Sequence, residues 1–125
     1  MKISDVEVYQ VKGRGWPRSP WVWVEVSTDE GISGIGESEP LAGIFEAIIG
    51  LGHRIVGEDP FNIEKMFEQM YRAGAPSAAI SGIEMAIWDI VGKKLGTPIY
   101  NLLGGKCHDR IRVYLDGFFR GAAYN

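Results

Sequence analysis

The sequence has few of the residues that crosslink secreted proteins or bind transition metals. It contains one cysteine, Cys107, so no internal disulfide can form, as is usual for proteins of a reducing compartment. Its two histidines, His53 and His108, have no second histidine or cysteine at a zinc-binding spacing. We therefore expect both histidines to be solvated surface residues and expect no zinc site.

Long apolar runs and an excess of one charge are also missing. No uninterrupted apolar run approaches the roughly eighteen residues that cross a bilayer, and residues 1–7 lack the apolar core of a signal peptide. The net charge is −3 and the basic residues are scattered, which leaves no basic surface for a nucleic acid or an anionic membrane. We predict a cytoplasmic protein that binds small molecules or proteins, with no nucleic-acid and no membrane partner.

The first third of the chain has the two-residue periodicity of β-strands. Strands are predicted over Ile3–Val11, Trp21–Val26 and Ile32–Gly36, because apolar and polar or aromatic residues alternate there. Asp29-Glu30-Gly31 is a turn sequence whose glycine can adopt a positive φ angle. The pattern predicts a three-stranded antiparallel meander.

The middle of the chain has helical periodicity. Helices are predicted over Ala47–Val56, over Phe61–Tyr71, and over a third segment that ends near Gly96. The buried side of the second should hold Ile63, Met66, Phe67 and Met70, and that of the third should hold Ile80, Ile83, Ile87, Ile90 and Val91. The third is apolar around most of its circumference, which predicts a central helix. A sheet followed by a helical bundle is an α+β domain.

Two acidic residues of the third helix raise the question of a metal site. Glu84 and Asp89 are five residues apart, about 500° of helical rotation, so they do not share one helix face. We interpret each as the partner in a structural hydrogen bond or ion pair. A further short strand is predicted over Ile111–Leu115, ending at Asp116-Gly117, with no later strand to pair with it.

Two irregular segments carry candidate binding residues. Residues 13–20 place Trp16 and Arg18 in a proline-stiffened loop, where they supply an apolar wall and a bidentate carboxylate donor with little ordering entropy. An exposed, solvated turn is the alternative interpretation. Residues 37–43 form the second segment, with Glu39 and Leu41, and Arg72 is a weaker third candidate.

Several segments resemble a known family in order along the chain. They are Glu30-Gly31-Ile32-Ser33-Gly34-Ile35-Gly36-Glu37, Gly57-Glu58-Asp59-Pro60, Ser81-Gly82-Ile83-Glu84-Met85-Ala86-Ile87-Trp88-Asp89-Ile90 and Leu102-Leu103-Gly104-Gly105. Together they resemble the N-terminal capping domain of the enolase superfamily, in its mandelate racemase and muconate lactonizing group. The resemblance implies a capping domain over residues 1–105 and, over 106–125, the start of a truncated TIM-type (β/α) barrel whose first strand is 111–115.

The resemblance also implies a chemistry. Such enzymes abstract a proton next to a carboxylate and stabilise the enediolate on Mg²⁺, with the base and the metal ligands on the barrel. No catalytic residue and no metal ligand is therefore assigned in this chain. In relatives the two irregular segments of the cap close over the substrate, which implies substrate-binding roles for Trp16, Arg18, Glu39 and Leu41. Asp116, at the C-terminal end of the implied barrel strand, is a candidate for the floor of the site, with a turn at Gly117 as the alternative.

The subgroup is indicated by two further segments. Tyr71-Arg72-Ala73-Gly74 and the stretch 113–119 resemble acid-sugar dehydratases of the gluconate and galactonate type, although the longer insertion that several of those carry after the first segment is absent. A racemase, epimerase or cycloisomerase of the same group is the alternative. We expect a sugar-acid substrate, the barrel as intramolecular partner, a homo-oligomeric full-length protein and an inactive 125-residue piece. A free-standing binding or oligomerisation module without chemistry is the competing hypothesis.

Overall fold

A computed structural model of the chain describes residues 1–11 and 21–114. It begins with an antiparallel sheet of three strands, β1 (Ile3–Val11), β2 (Trp21–Thr28) and β3 (Ser33–Ser38), in the order β1-β2-β3. The tight turn between β2 and β3 uses Gly31 at a φ of 75°, a left-handed conformation that favours glycine. The predicted meander is confirmed.

Helices follow the sheet, as the periodicity predicts. They are α1 (Ile44–Ile55), α2 (Ile63–Arg72), α3 (Ser77–Leu95) and the single turn α4 (Ile99–Leu102), which the sequence analysis did not predict. Helix α1 begins three residues before its predicted start. Ile44 is 3% exposed, and its burial against the core favours a helix that begins at Ile44, directly after Gly43.

The core lies between the inner face of the sheet and the helices. Val22, Val24 and Val26 point inward from β2 and are at most 2% exposed. The five predicted apolar residues of α3 are all buried, and α3 contacts β2, β3 and the other three helices. Its role as the central helix is confirmed.

Helix α3 and strand β3 touch through their backbones. A Cβ atom on Gly34 would overlap the carbonyl oxygen of Ala86, and one on Gly36 would overlap that of Gly82. Glycine at these two strand positions is therefore a requirement of the packing. The same close approach fixes where the end of β3 lies relative to the first turns of α3.

Two sequence expectations need correction. Phe67 is 38% exposed, because it turns to the outer side of α2 and stacks on Tyr71 at a ring-centroid distance of 6.0 Å, while Ile63, Met66 and Met70 are buried as predicted. Residues 111–114 do not form the predicted strand. Among residues 1–11 and 21–114 no strand lies beside them to accept and donate backbone hydrogen bonds, and an unpaired strand is not stable.

The charged residues of α3 have the structural roles that were predicted. Asp89 accepts a hydrogen bond from the backbone N–H of Ile35 at 3.0 Å and pairs with Lys93 at 2.8 Å. Glu84 accepts one from the indole N–H of Trp88 at 3.4 Å. His53 and His108 are exposed, as expected.

Within the described parts of the chain, no helix combines the length and the apolar composition that a membrane crossing requires.

Candidate functional site

An open groove of about 850 Å³ lies at the end of the sheet where β2 begins and β3 ends. One side is formed by the segment that follows β3, and the other by the first turns of α3. The lining residues are Trp21, Glu37, Ser38, Glu39, Pro40, Leu41, Ile44, Pro76, Ser77, Ala78, Ser81 and Met85. Two of these, Glu39 and Leu41, are predicted binding residues, and the structure places them in the same groove.

Strand register places the end of β1 and the end of β3 at the same end of the sheet. Val11 pairs with Trp21 across β1 and β2, and Val22 pairs with Ser38 across β2 and β3. Val11, which precedes residues 12–20, and Ser38, which precedes residues 39–43, therefore lie at the same end of the sheet. Trp16 and Arg18 belong to the first of these segments and lie outside the described residues, as does Asp116.

Short-range hydrogen bonds shape the segment from Glu39 to Gly43. The N–H of Leu41 donates to the carbonyl of Glu39 at 2.9 Å, and the N–H of Ile44 donates to that of Leu41 at 3.2 Å. Gly43 completes the turn with a φ of 81°. The backbone bonds to itself, so the side chains of Glu39 and Leu41 stay exposed, Leu41 at 58%.

The opposite side of the groove comes from α3. Ser77, Ser81 and Met85 follow one another at a spacing of four residues and are exposed on this side. These three residues were not among the predicted site residues, because the apolar periodicity of α3 indicated only a core helix. The signal was present in the sequence, since these residues recur at the helical spacing on one side of the helix.

The chemistry of the groove is apolar with two carboxylates. Glu37 and Glu39 supply hydrogen-bond acceptors, and no lysine or arginine is among the lining residues given above. Carboxylates accept hydrogen bonds from hydroxyl groups and repel other anions. Among the described residues, the groove therefore offers acceptors for a neutral, hydroxyl-bearing part of a ligand, with Trp21, Leu41 and Met85 as apolar contacts.

Arg72, the weaker third candidate, does not line this groove. It lies at the end of α2, where its guanidinium pairs with Glu68 one turn earlier.

A magnesium site is not present in the described residues. Within 1–11 and 21–114, no three side chains of histidine, cysteine, aspartate or glutamate are grouped so that they could hold a metal ion. A divalent cation needs several oxygen ligands at once. The described residues therefore do not fit Mg²⁺, and no step of chemistry is assigned to a metal bound by them.

Sequence comparison relates the chain to a family of enzymes. The profile of the family described as mandelate racemase / muconate lactonizing enzyme, N-terminal domain, matches residues 10–104. Over 123 residues the chain is 42% identical to a D-galactonate dehydratase of Variovorax paradoxus, a match that covers 91% of this chain and 31% of the relative.

Structural comparison agrees with the sequence comparison. A crystal structure of a dipeptide epimerase from Enterococcus faecalis superposes with a TM-score of 0.78 at 38% identity, covering 84% of this chain and 33% of the epimerase. One of a mandelate racemase/muconate lactonizing enzyme from Sulfitobacter sp. gives a TM-score of 0.80 at 35% identity, covering 90% and 32%. This chain spans about a third of the length of these relatives.

Proposed function

The chain belongs to the mandelate racemase / muconate lactonizing enzyme family through its N-terminal domain, and from this premise we propose that the full-length protein is an acid-sugar dehydratase. The 42% identity with a D-galactonate dehydratase supports this activity. In the proposed reaction a proton is removed from the carbon next to the substrate carboxylate and a water molecule is eliminated. The residues described here bind the substrate and take no part in the proton transfer.

The observation that carries the proposal is the apolar groove with its two hydroxyl-accepting carboxylates, Glu37 and Glu39. A sugar acid has a carboxylate at one end and a chain of hydroxyl groups at the other. Because Glu37 and Glu39 repel an anion, the substrate carboxylate is directed away from the groove and the hydroxyl-bearing end is directed towards it. In this arrangement Glu39 accepts hydrogen bonds from hydroxyl groups and Leu41 contacts the carbon chain.

The remaining sequence candidates keep the roles that the family resemblance implies for them. We propose that Trp16 and Arg18, in residues 13–20, contact the substrate, and that Asp116 lies at the floor of the completed site. We propose that Mg²⁺ and the catalytic base are held by a barrel domain, that the protein is cytoplasmic and homo-oligomeric, and that the 125-residue piece is inactive alone.

Steady-state kinetics of the full-length protein test the proposal. The purified protein with Mg²⁺ is assayed for dehydration of a panel of sugar acids that includes galactonate and gluconate stereoisomers. For the best substrate, Glu39→Gln is expected to lower kcat/KM by about 10-fold to 100-fold, because a charge-assisted hydrogen bond to a substrate hydroxyl is weakened.

The matched control is Glu64→Gln, an exposed carboxylate in the first turn of α2 that does not line the groove. It should leave kcat/KM within about twofold. Absence of dehydration for every sugar acid would reject the dehydratase assignment. Equal effects of the two variants would reject the role of Glu39 while leaving the reaction class intact.

A second candidate activity is epimerisation or racemisation of a carboxylate substrate. The superposition on a dipeptide epimerase favours it, because the capping fold is shared between the two reaction types. The same assay distinguishes them when run in ²H₂O. Deuterium incorporation at the carbon next to the carboxylate, without loss of water, would support the epimerase or racemase. No turnover together with specific ligand binding would support the module without chemistry.

A further inference from the structure

Two polar side chains are buried among the described residues, and one of them is explained by its own turn. Thr28 ends β2, its hydroxyl donates to the carbonyl of Ile32 at 2.8 Å, and it accepts from the N–H of the same residue at 3.2 Å. Both bonds span four residues. Thr28 therefore closes the β2–β3 turn locally.

The other buried polar side chain, Ser38, makes a contact of a different kind. Its hydroxyl donates at 2.8 Å to the carbonyl of Ala78, forty residues away in the chain. Ser38 is the last residue of β3, and Glu39 follows it directly. Ala78 lies in the first turn of α3, beside Ser77, which lines the opposite side of the groove. This hydrogen bond joins the two sides of the groove at its base.

Strand β3 and helix α3 pack tightly at Ser38. A Cβ atom on Gly82 would lie 3.0 Å from the Cβ atom of Ser38, so the missing side chain of Gly82 gives the strand room to approach the helix this closely. Ser38 as a whole is 7% exposed, so its hydroxyl lies in a largely buried setting, where a hydrogen bond is stronger than in water.

Stability of the fold is a poor reason for a serine at this position. The carbonyl of Ala78 is within a helix, where the N–H four residues later is its usual donor, so removing the serine hydroxyl leaves no orphaned acceptor. An alanine would fill nearly the same space. What the hydroxyl adds is a fixed distance between the start of the 39–43 segment and α3.

We propose that Ser38 is a positioning residue that sets the width of the groove and holds Glu39 and Leu41 in their binding geometry. The proposal rests on the proposed function for its effect on substrate, but its structural part is independent of any activity. Loss of the bond releases the 39–43 segment from α3 while β3 and α3 stay in contact through their glycines.

Kinetics of full-length Ser38→Ala are expected to show a raised KM, by about tenfold, with kcat changed less than about twofold, because binding geometry is lost and the reacting end is held elsewhere. Ser38→Cys keeps a side chain of similar size and a weak hydrogen-bond donor, so its KM should lie between those of the wild type and Ser38→Ala. Thr28→Val is the control. It should reduce thermal stability more than Ser38→Ala does and leave KM unchanged.

Hydrogen exchange tests the structural part without substrate. In Ser38→Ala the amides of Leu41 and Ile44, which are hydrogen-bonded within the segment, should exchange about tenfold faster, while that of Ile32 is unchanged. In Thr28→Val the amide of Ile32 should exchange faster, while the amides of Leu41 and Ile44 are unchanged. Exchange of the 39–44 region equal to wild type, or an unchanged KM in an active enzyme, would overturn the proposal.

A wild-type protein without acid-sugar turnover would reject the proposed function, and exchange would still decide the role of Ser38. If Ser38→Ala does not fold, the same measurements are made on Ser38→Cys, where an exchange rate equal to wild type at Leu41 and Ile44 and an unchanged KM count against the proposal.

Discussion

The two ends of the three-stranded sheet are built differently. At the β2–β3 turn, Thr28 bonds to Ile32, the carboxylate of Asp29 accepts from the N–H of Lys2 at 2.7 Å, and Glu30 pairs with Lys94. At the opposite end lie Val11, which precedes residues 12–20, and Ser38, which precedes the 39–43 segment. At this end, the side-chain hydrogen bond that joins distant parts of the described chain is that of Ser38 to the carbonyl of Ala78.

The difference places stabilising contacts at one end of the sheet and candidate binding residues at the other. At the turn end, hydrogen bonds and an ion pair join the turn to Lys2, just before β1, and to Lys94 in the last turn of α3. The opposite end, the open end, exposes the side chains of Glu39 and Leu41 on the 39–43 segment, whose backbone hydrogen-bonds mainly within itself. A rigid sheet that carries irregular segments at one end is a common way to position binding residues.

The close backbone contact of β3 with α3 lies between the two ends of the sheet. Disrupting it should cause the largest loss of stability. Gly36→Ala places a methyl group on the carbonyl oxygen of Gly82, where neither backbone can move aside. We expect a loss of unfolding free energy of about 3 kcal/mol or more, or failure to fold.

The control for that substitution is Gly50→Ala on an exposed side of α1. No atom lies within 4 Å of the position of its Cβ, so the change should be neutral or stabilising by up to about 1 kcal/mol. Urea denaturation followed by tryptophan fluorescence compares the two. A mild effect of Gly36→Ala would mean that α3 lies further from β3 than described here.

Thr28→Val tests the turn end and should have an intermediate effect. The isosteric change removes both side-chain bonds to Ile32, whose N–H loses its partner in a part-buried setting. A destabilisation of about 1 to 2 kcal/mol is expected from thermal or urea unfolding. Substrate KM should not move, since this end is remote from the groove, and a raised KM would contradict the separation of the two ends.

Glu30 gives the smallest effect, as a dependence of stability on pH. The hydrogen bond from Lys94 holds the pKa of its carboxyl below the usual 4.5, with the N-terminal ammonium acting in the same direction. Because the folded-state pKa is the lower one, this contribution to stability is present above about pH 4.5 and is lost as the pH falls through the folded pKa.

Glu30→Gln should therefore flatten the acid side of a stability–pH curve measured by urea denaturation between neutral pH and pH 3. Glu39→Gln, at the open end, is the matched control, because Glu39 forms no ion pair within 1–11 and 21–114. An equal flattening by both variants would show that the pairing with Lys94 is not the cause.

Local patterns predicted most of the fold. Alternation placed the three strands, Gly31 placed the turn, and the apolar spacing of α3 placed its buried side. The patterns failed where a neighbour decides the outcome. The start of α1 depends on the burial of Ile44, Phe67 turns outward to meet Tyr71, and residues 111–114 lack a strand beside them.

The candidate site was predicted in part. Glu39 and Leu41 could be found because proline and glycine mark an irregular segment that carries functional groups. Ser77, Ser81 and Met85 were missed, because a helix that is mostly buried was assigned to the core as a whole. Their exposure depends on where the 39–43 segment leaves room, which no local pattern contains.

Sequence patterns alone specify the class of the domain, the order of its elements and, through the segments that resemble the family, its membership in that family. These are properties of periodicity, turn chemistry and local motifs, which act over a few residues at a time. The hydrogen bond from Ser38 to Ala78, and the groove that Glu39 and Ser81 line together, depend on the three-dimensional fold. These contacts join residues about forty positions apart through the close packing of β3 on α3, which no local pattern specifies.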